Sequence, residues 1–189
     1  MSLGLLIEST VAQHTHDGVV DVTAVAASFG CEVVMKFKNS TLKGAIRPCS
    51  SENKLAEIAL NVRNDNATNR TLIALLLAEH LLNLVHRRSK KVTIDTFFLS
   101  EIRNYKMSAS VMIGTRIAMP KEIIDSIDCP LFNALDYASE AELMPSFVSS
   151  ALKMSNSWLV NTIHGSVIPQ LLKIIKIRSQ SDLKLASLI

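Results

Sequence analysis

The sequence predicts an α+β fold, and three features of its first half carry that prediction. Residues 21–30 place apolar side chains at helical spacing between an aspartate and a glycine, which are common residues at the two ends of a helix. Residues 31–61 hold three runs of β-branched or alternating residues separated by polar turns. Residues 70–86 form a leucine-rich helical run. We therefore expect a short helix, a small three-stranded sheet and a long helix, in that order.

The short helix has signals at both ends. Asp21 is the predicted N-cap, because its carboxylate can accept hydrogen bonds from the first N–H groups of the helix. Gly30 is the predicted stop, because glycine readily adopts the left-handed conformation that ends many helices. The apolar residues of this helix are Val22, Val25, Ala26 and Phe29. A strand is expected to follow Gly30 directly.

The three strands are predicted at residues 31–37, 41–47 and 55–61. Asn39 and Ser40 are typical turn residues, so the first two strands are expected to pair as a hairpin. Most of the chain after residue 86 is predicted to be helical, but residues 92–98 are an alternative candidate for one further short strand.

The remainder of the chain is predicted to be mostly helical. Thr68 or Asn69 is the predicted cap of the leucine-rich helix, and Pro130 marks a candidate boundary. We divide the chain into a domain of residues 1–128 and a helical C-terminal region of residues 129–189 packed on it. Further helices, separated by Pro, Ser or Asn, are predicted at residues 100–119, 121–127, 131–143, 145–154 and 158–177.

Composition narrows the class of protein. The chain has 189 residues, of which 48% are hydrophobic and 20% charged, so it can bury a sizeable core. No apolar run reaches the roughly 18 residues that a membrane-spanning helix needs, and we expect a cytoplasmic protein. Cys31, Cys49 and Cys129 are odd in number and lack C-x-x-C spacing, which argues against a disulfide framework and against a cysteine-based zinc site.

The charge distribution does not favour a dedicated nucleic-acid surface. The net charge is +3, and the basic residues cluster only at residues 86–91 and 173–178, where predicted helices end. Cations at these places complement the partial negative charge of a helix C-terminus. Direct nucleic-acid binding is therefore not expected.

Five segments, taken in order, resemble the ImmA/IrrE family of zinc metallopeptidase-like proteins, and the similarity covers residues 19–154. They are residues 18–34, Lys43-Gly-Ala-Ile46, Ala56-Glu-Ile-Ala-Leu-Asn61, residues 70–79 and Arg116-Ile-Ala-Met-Pro120. The resemblance implies a zincin-like domain in which the leucine-rich helix occupies the place of the active-site helix.

The resemblance also implies that the zinc site is missing. Arg70 and Ala74 match the arginine and alanine of the family pattern R-F-x-x-A-H-E-x-x-H. Leu75 then replaces the first histidine, Leu76 the general-base glutamate, and Glu79 the second histidine. Met107 stands where the family has its third zinc ligand, a glutamate. One carboxylate cannot provide three ligands and a general base, so we expect no bound metal, no other cofactor and no hydrolytic activity.

Members of this family act on or with helix-turn-helix repressors of bacteria, phages and mobile elements. The resemblance therefore implies a regulatory protein that binds such a repressor by surface contact. Glu79, Asn83 and His86 lie at i, i+4 and i+7, so they share one face of the helix and would form the rim of the former cleft. His80 and His86, six residues apart, face different sides and are expected to be exposed polar residues of an amphipathic helix.

Two other functions are alternatives. A metallopeptidase with relocated ligands could use His80, His86 and Glu101, and a nucleic-acid-binding regulator could use residues 87–91 and 173–178. The short motif His14-Thr-His16-Asp17 has ligand-type side chains, but Gly18 follows it and a loop is the simpler interpretation.

Overall fold

The structure of the chain is a computed structural model, which describes residues 3–38, 41–51, 54–86, 90–95, 109–126 and 133–151. Its helices are α1 (Leu3–Gln13), α2 (Val22–Ser28), α3 (Asn66–Val85), α4 (Ala109–Ala118), α5 (Lys121–Ser126), α6 (Ala134–Glu140) and α7 (Pro145–Ala151). Its strands are β1 (Thr15–His16), β2 (Val19–Val20), β3 (Cys31–Phe37), β4 (Leu42–Ser51), β5 (Lys54–Asn61) and β6 (Val92–Asp95). The fold is α+β, as predicted.

The main sheet has four strands in the order β3-β5-β4-β6, so the prediction of three strands is wrong by one. The additional strand is β6, which lies within the alternative strand at residues 92–98. The predicted hairpin of the first two strands is also wrong, because β5 lies between β3 and β4. β5 runs parallel to β3 and antiparallel to β4. Buried apolar residues dominate β5, because this strand has a neighbouring strand on each side, β3 and β4.

Helix α3 runs through the centre of the described structure. Its residues from Thr71 to Ala78 are all buried, since the sheet packs on one side and α4 on the other. The expected amphipathic helix is therefore wrong over this stretch; a helix that is apolar on all sides belongs in a core. Its N-cap is Asp65, whose carboxylate accepts a hydrogen bond from the Thr68 backbone N–H at 2.7 Å; neither Thr68 nor Asn69 caps it.

Two glycines allow the layers on either side of α3 to approach closely. A Cβ atom on Gly44 of β4 would lie 3.1 Å from Leu76 Cδ1. A Cβ atom on Gly114 of α4 would lie 3.2 Å from Leu75 Cδ2 and 3.5 Å from the Ala74 carbonyl oxygen. The two leucines therefore pack against different layers.

Helix α2 confirms its predicted ends. Asp21 accepts hydrogen bonds from the backbone N–H groups of Thr23 and Ala24, each at 3.0 Å, and Gly30 has φ +75°. Helix α1 had no counterpart in the sequence-based prediction. It buries Leu3, Leu6, Ile7 and Val11 in the core.

Within the described residues, the helices after α4 follow the predicted order. Residues 131–143 yield α6, which Asn133 caps, and residues 145–154 yield α7. Of the predicted helix at residues 100–119, the described part is helical from Ala109. The predicted helix at residues 158–177 lies outside the described residues. Within the residues described, no helix combines the length and apolarity needed to cross a membrane.

Candidate functional site

Leu75 and Leu76, which the resemblance matches to the first histidine and the general-base glutamate, do not line a cleft. Leu75 is 1% exposed and Leu76 is 0% exposed. Leu75 packs against Gly114 of α4 and Leu76 against Gly44 of β4, so the two side chains enter the packed layers on either side of α3. Neither side chain has access to water or to a substrate.

The predicted binding residues lie on the C-terminal half of α3. Glu79 and Asn83 are half-buried, and His86 is exposed. His86 is also the C-cap, and its backbone N–H donates to the Leu82 carbonyl oxygen at 3.0 Å. The three side chains therefore offer a carboxylate, an amide and an imidazole along one helical face.

His80 is buried, and the prediction that it is an exposed polar residue is wrong. Its side chain is 4% exposed, and Nε2 has no hydrogen-bond partner. Burial lowers the pKa of His80 to about 4, because desolvation penalises the charged imidazolium. At neutral pH the ring is therefore an uncharged part of the core, one turn after Leu76.

The relocated metal site receives no support from this geometry. His80 is buried whereas His86 is exposed at the helix end, and Glu101 and Met107 lie outside the described residues. Nowhere in the described ranges do three or more His, Cys, Asp or Glu side chains form a group that could hold a metal ion.

The residues of the His14-Thr-His16-Asp17 motif form the β1–β2 hairpin and attach it to α2. Asp17 and Gly18 have φ of +51° and +78°, as the two-residue turn between β1 and β2 requires. His14 Nε2 is hydrogen-bonded to Ser28 Oγ at 2.8 Å, which ties this hairpin to α2. A structural role explains both the histidine and the aspartate.

A cleft of about 260 Å³ lies between α1, α4 and α5, away from the predicted site. Its polar wall includes an ion pair between Arg116 Nη1 and Glu8 Oε1 at 3.0 Å. Its apolar wall includes Val11, Met119 and Pro120. Sequence reasoning missed this cleft, because Glu8 and Arg116 are 108 positions apart and no local pattern links them.

Arg70, the residue that matches the family arginine, joins three parts of the chain. From α3 its Nε donates to the Ala141 carbonyl oxygen at 3.0 Å, and its Nη2 donates to the Val20 carbonyl oxygen at 2.7 Å. At the next residue, Thr71 Oγ1 accepts a hydrogen bond from the Met144 backbone N–H at 3.0 Å. These bonds hold β2 and the segment between α6 and α7 against the start of α3.

We expect Arg70→Ala to lower the free energy of unfolding by roughly 2–4 kcal/mol, because it leaves the buried carbonyls of Val20 and Ala141 without their charged donor. Arg70→Lys should recover only part of the loss, since an ammonium group lacks the planar fork that reaches two acceptors. Urea unfolding followed by circular dichroism measures both variants. Equal stability of Arg70→Ala and the wild type would contradict the assigned role.

The fold and the site together define a class: an α+β protein whose central helix, α3, is fully packed at Leu75 and Leu76. Comparisons with protein-family models, with curated proteins and with solved structures find no match.

Proposed function

We propose that the protein is a non-catalytic regulator, derived from an ImmA/IrrE-like zincin fold, that binds a helix-turn-helix transcriptional repressor by surface contact. The observation that carries this proposal is the complete burial of Leu75 and Leu76 between β4 and α4. A hydrolytic zinc needs an open coordination position for water or substrate, and this part of α3 has no such opening. We therefore assign the exposed part of α3 to binding of a protein partner and not to catalysis.

The order of elements supports the zincin-like part of the proposal. The chain runs from α2 through three strands of a mixed sheet into the long central helix α3. Asn61 ends β5 at the place where the family has an asparagine. Its side chain donates to the Leu42 carbonyl oxygen at 2.9 Å and accepts from the Arg63 backbone N–H at 3.0 Å. Asn61, like Arg70, thus keeps a structural role that does not depend on a metal.

The proposed contact surface consists of Glu79, Asn83 and His86. The three residues present one carboxylate, one amide and one imidazole on the C-terminal half of α3, where Glu79 and Asn83 are half-buried and His86 is exposed. A helix-turn-helix repressor carries basic residues for the phosphate backbone of DNA. A carboxylate on a rigid helix can pair with such residues and compete with DNA for them.

The test uses charge reversal on α3. Glu79→Arg should weaken binding of the repressor by at least about tenfold, because one favourable charge pair becomes a repulsion. The partner is isolated on the immobilised wild-type chain, identified by mass spectrometry, purified and then titrated against each variant. A gel-shift assay with the repressor's own operator shows whether the wild-type chain releases it from DNA.

Arg47→Glu is the charge-reversal control: Arg47 is exposed on β4 and pairs with Glu57, so circular dichroism first verifies that this variant keeps its secondary structure. Its neighbour Ile46 points into the core, so Arg47 faces away from α3. We expect Arg47→Glu to bind as the wild type does. A captured partner without a DNA-binding domain, or equal affinity of Glu79→Arg and the wild type, would contradict the proposal.

Elemental mass spectrometry of the purified chain tests the metallopeptidase alternative. We expect no stoichiometric zinc and no repressor cleavage that a chelator abolishes. Near-stoichiometric zinc would restore the relocated-ligand hypothesis with His80, His86 and Glu101. Strongly salt-dependent binding to DNA by the chain alone would instead favour the nucleic-acid alternative.

A further inference from the structure

Strand β3 forms one edge of the main sheet. Of the strands that the structure describes, β5 is the one that pairs with β3, on one side only. The strand carries an exposed apolar residue, Met35, which is 49% exposed although its register partner Leu60 is buried. An edge strand offers backbone N–H and C=O groups that can pair with another strand, and exposed apolar side chains on that edge favour the pairing.

The sequence of β3 is complementary to itself in the antiparallel direction. When Val34 is placed opposite Val34 of a second copy, Glu32 lies opposite Lys36 and Val33 lies opposite Met35. Each unlike pair occurs twice, because a two-fold axis at Val34 relates the two strands. The charged pairs and the Val34 pair then share one face of the sheet, and the two Val33–Met35 pairs share the other.

The charged residues have room for this second set of partners. Within one chain Lys36 Nζ contacts Glu57 Oε1 at 2.7 Å, and Glu32 pairs with Lys54. The side chains of Lys36 and Glu32 nevertheless remain 47% and 43% exposed. Each can therefore join an extended row of alternating charges across the sheet.

We propose that β3 is a self-recognition edge, through which two copies of this chain pair antiparallel about Val34 into one continuous eight-stranded sheet. The ladder covers residues 32–36, because the pairing with β5 becomes irregular between Met35 and Phe37. So short a ladder buries less surface than a standard stable interface. The dimer is accordingly weak and forms as the concentration rises.

Sedimentation equilibrium of the full chain over a wide concentration range tests the proposal. The wild type should show a monomer–dimer equilibrium. Glu32→Lys and Lys36→Glu should each raise the dimer dissociation constant about tenfold or more, because two attractive cross-strand pairs become two repulsive ones. A wild type that stays monomeric throughout the range overturns the proposal.

The two variants are also designed to complement each other. In an equal mixture, the lysines of one variant face the glutamates of the other, so native mass spectrometry should detect a 1:1 heterodimer. The double variant Glu32→Lys/Lys36→Glu should recover self-association for the same reason. Failure of both the mixture and the double variant to associate would overturn the assigned register.

Lys54→Glu is the matched control. It breaks the ion pair with Glu32 inside one chain but leaves both proposed cross-copy pairs unchanged. Its dimer dissociation constant should equal that of the wild type, and a tenfold change would mean that the charge effects arise within the chain. Circular dichroism verifies that each variant keeps its secondary structure.

Discussion

Leu76→Glu is expected to lower the free energy of unfolding by at least about 4 kcal/mol, which is enough to unfold a marginally stable domain. This substitution places a glutamate at a position where the side chain is fully buried. The Leu76 side chain packs against Gly44 of β4, so a carboxylate there would lose its hydration without gaining a partner. Chemical denaturation at neutral pH measures the loss.

Two further variants at the same position separate the cost of burying a charge from the cost of changing the shape and polarity of the side chain. Leu76→Met conserves volume and apolarity and should cost less than about 1.5 kcal/mol. Leu76→Gln has the shape of glutamate without its charge. Its loss of unfolding free energy should fall between those of Leu76→Met and Leu76→Glu. If Leu76→Glu retains nearly wild-type stability, water reaches this part of α3, and the argument against a catalytic cleft fails.

The second large effect is an acid-dependent loss of stability caused by His80. Burial holds the pKa of His80 at about 4 in the folded chain, below its ordinary value of 6.5. Between these two values the unfolded chain binds a proton that the folded chain does not bind. Stability is therefore fully present above pH 6.5 and falls as the pH is lowered towards 4, by about 3 kcal/mol over the interval.

The measurement is the difference in unfolding free energy between the wild type and His80→Leu at several pH values. Taking the difference removes the contributions of other groups, such as Glu57 and Asp65, whose pKa values are lowered by hydrogen bonds from Lys36 and from Thr68 respectively. His80→Leu should be at least as stable as the wild type at pH 7, because it removes a buried nitrogen without a partner. It should become the more stable protein by a growing margin below pH 6.5.

His86→Leu serves as the exposed counterpart. His86 lies at the end of the same helix with an exposed side chain, so this change controls for replacing a histidine by leucine outside the core. If His80→Leu and the wild type lose stability in parallel as the pH falls, the imidazole of His80 reaches solvent in the folded chain.

Residue type and spacing within short segments were enough to predict α2, β5 and α3. Asp21 and Gly30 bound the segment that holds α2 because a carboxylate cap and a residue with positive φ act within one turn. The apolar alternation of residues 55–61 predicted β5, and the leucine-rich run predicted α3. The absence of histidine at positions 75 and 79 and of glutamate at position 76 is likewise a property of the sequence.

Strand pairing, by contrast, was decided by long-range contacts. The polar turn after β3 suggested a hairpin, but β3 pairs with β5, and this arrangement sets Cys31 opposite Ala56 and Val33 opposite Ile58 on the core side of the sheet. Asp65, one position before the helix, capped α3 in place of the two residues favoured by the sequence. Turn residues limit which strands can meet but do not select the partner.

The sequence by itself therefore determined the α+β class, the order of the main elements and the absence of an H-E-x-x-H motif at residues 75–79, because these depend on residue type and spacing. Only the tertiary structure decided that Leu75 and Leu76 fill packed layers, that His80 is buried without a partner, and that Glu8 meets Arg116 at a cleft. Burial and pairing depend on which distant segments cover a residue, and that information is absent from any local window of the chain.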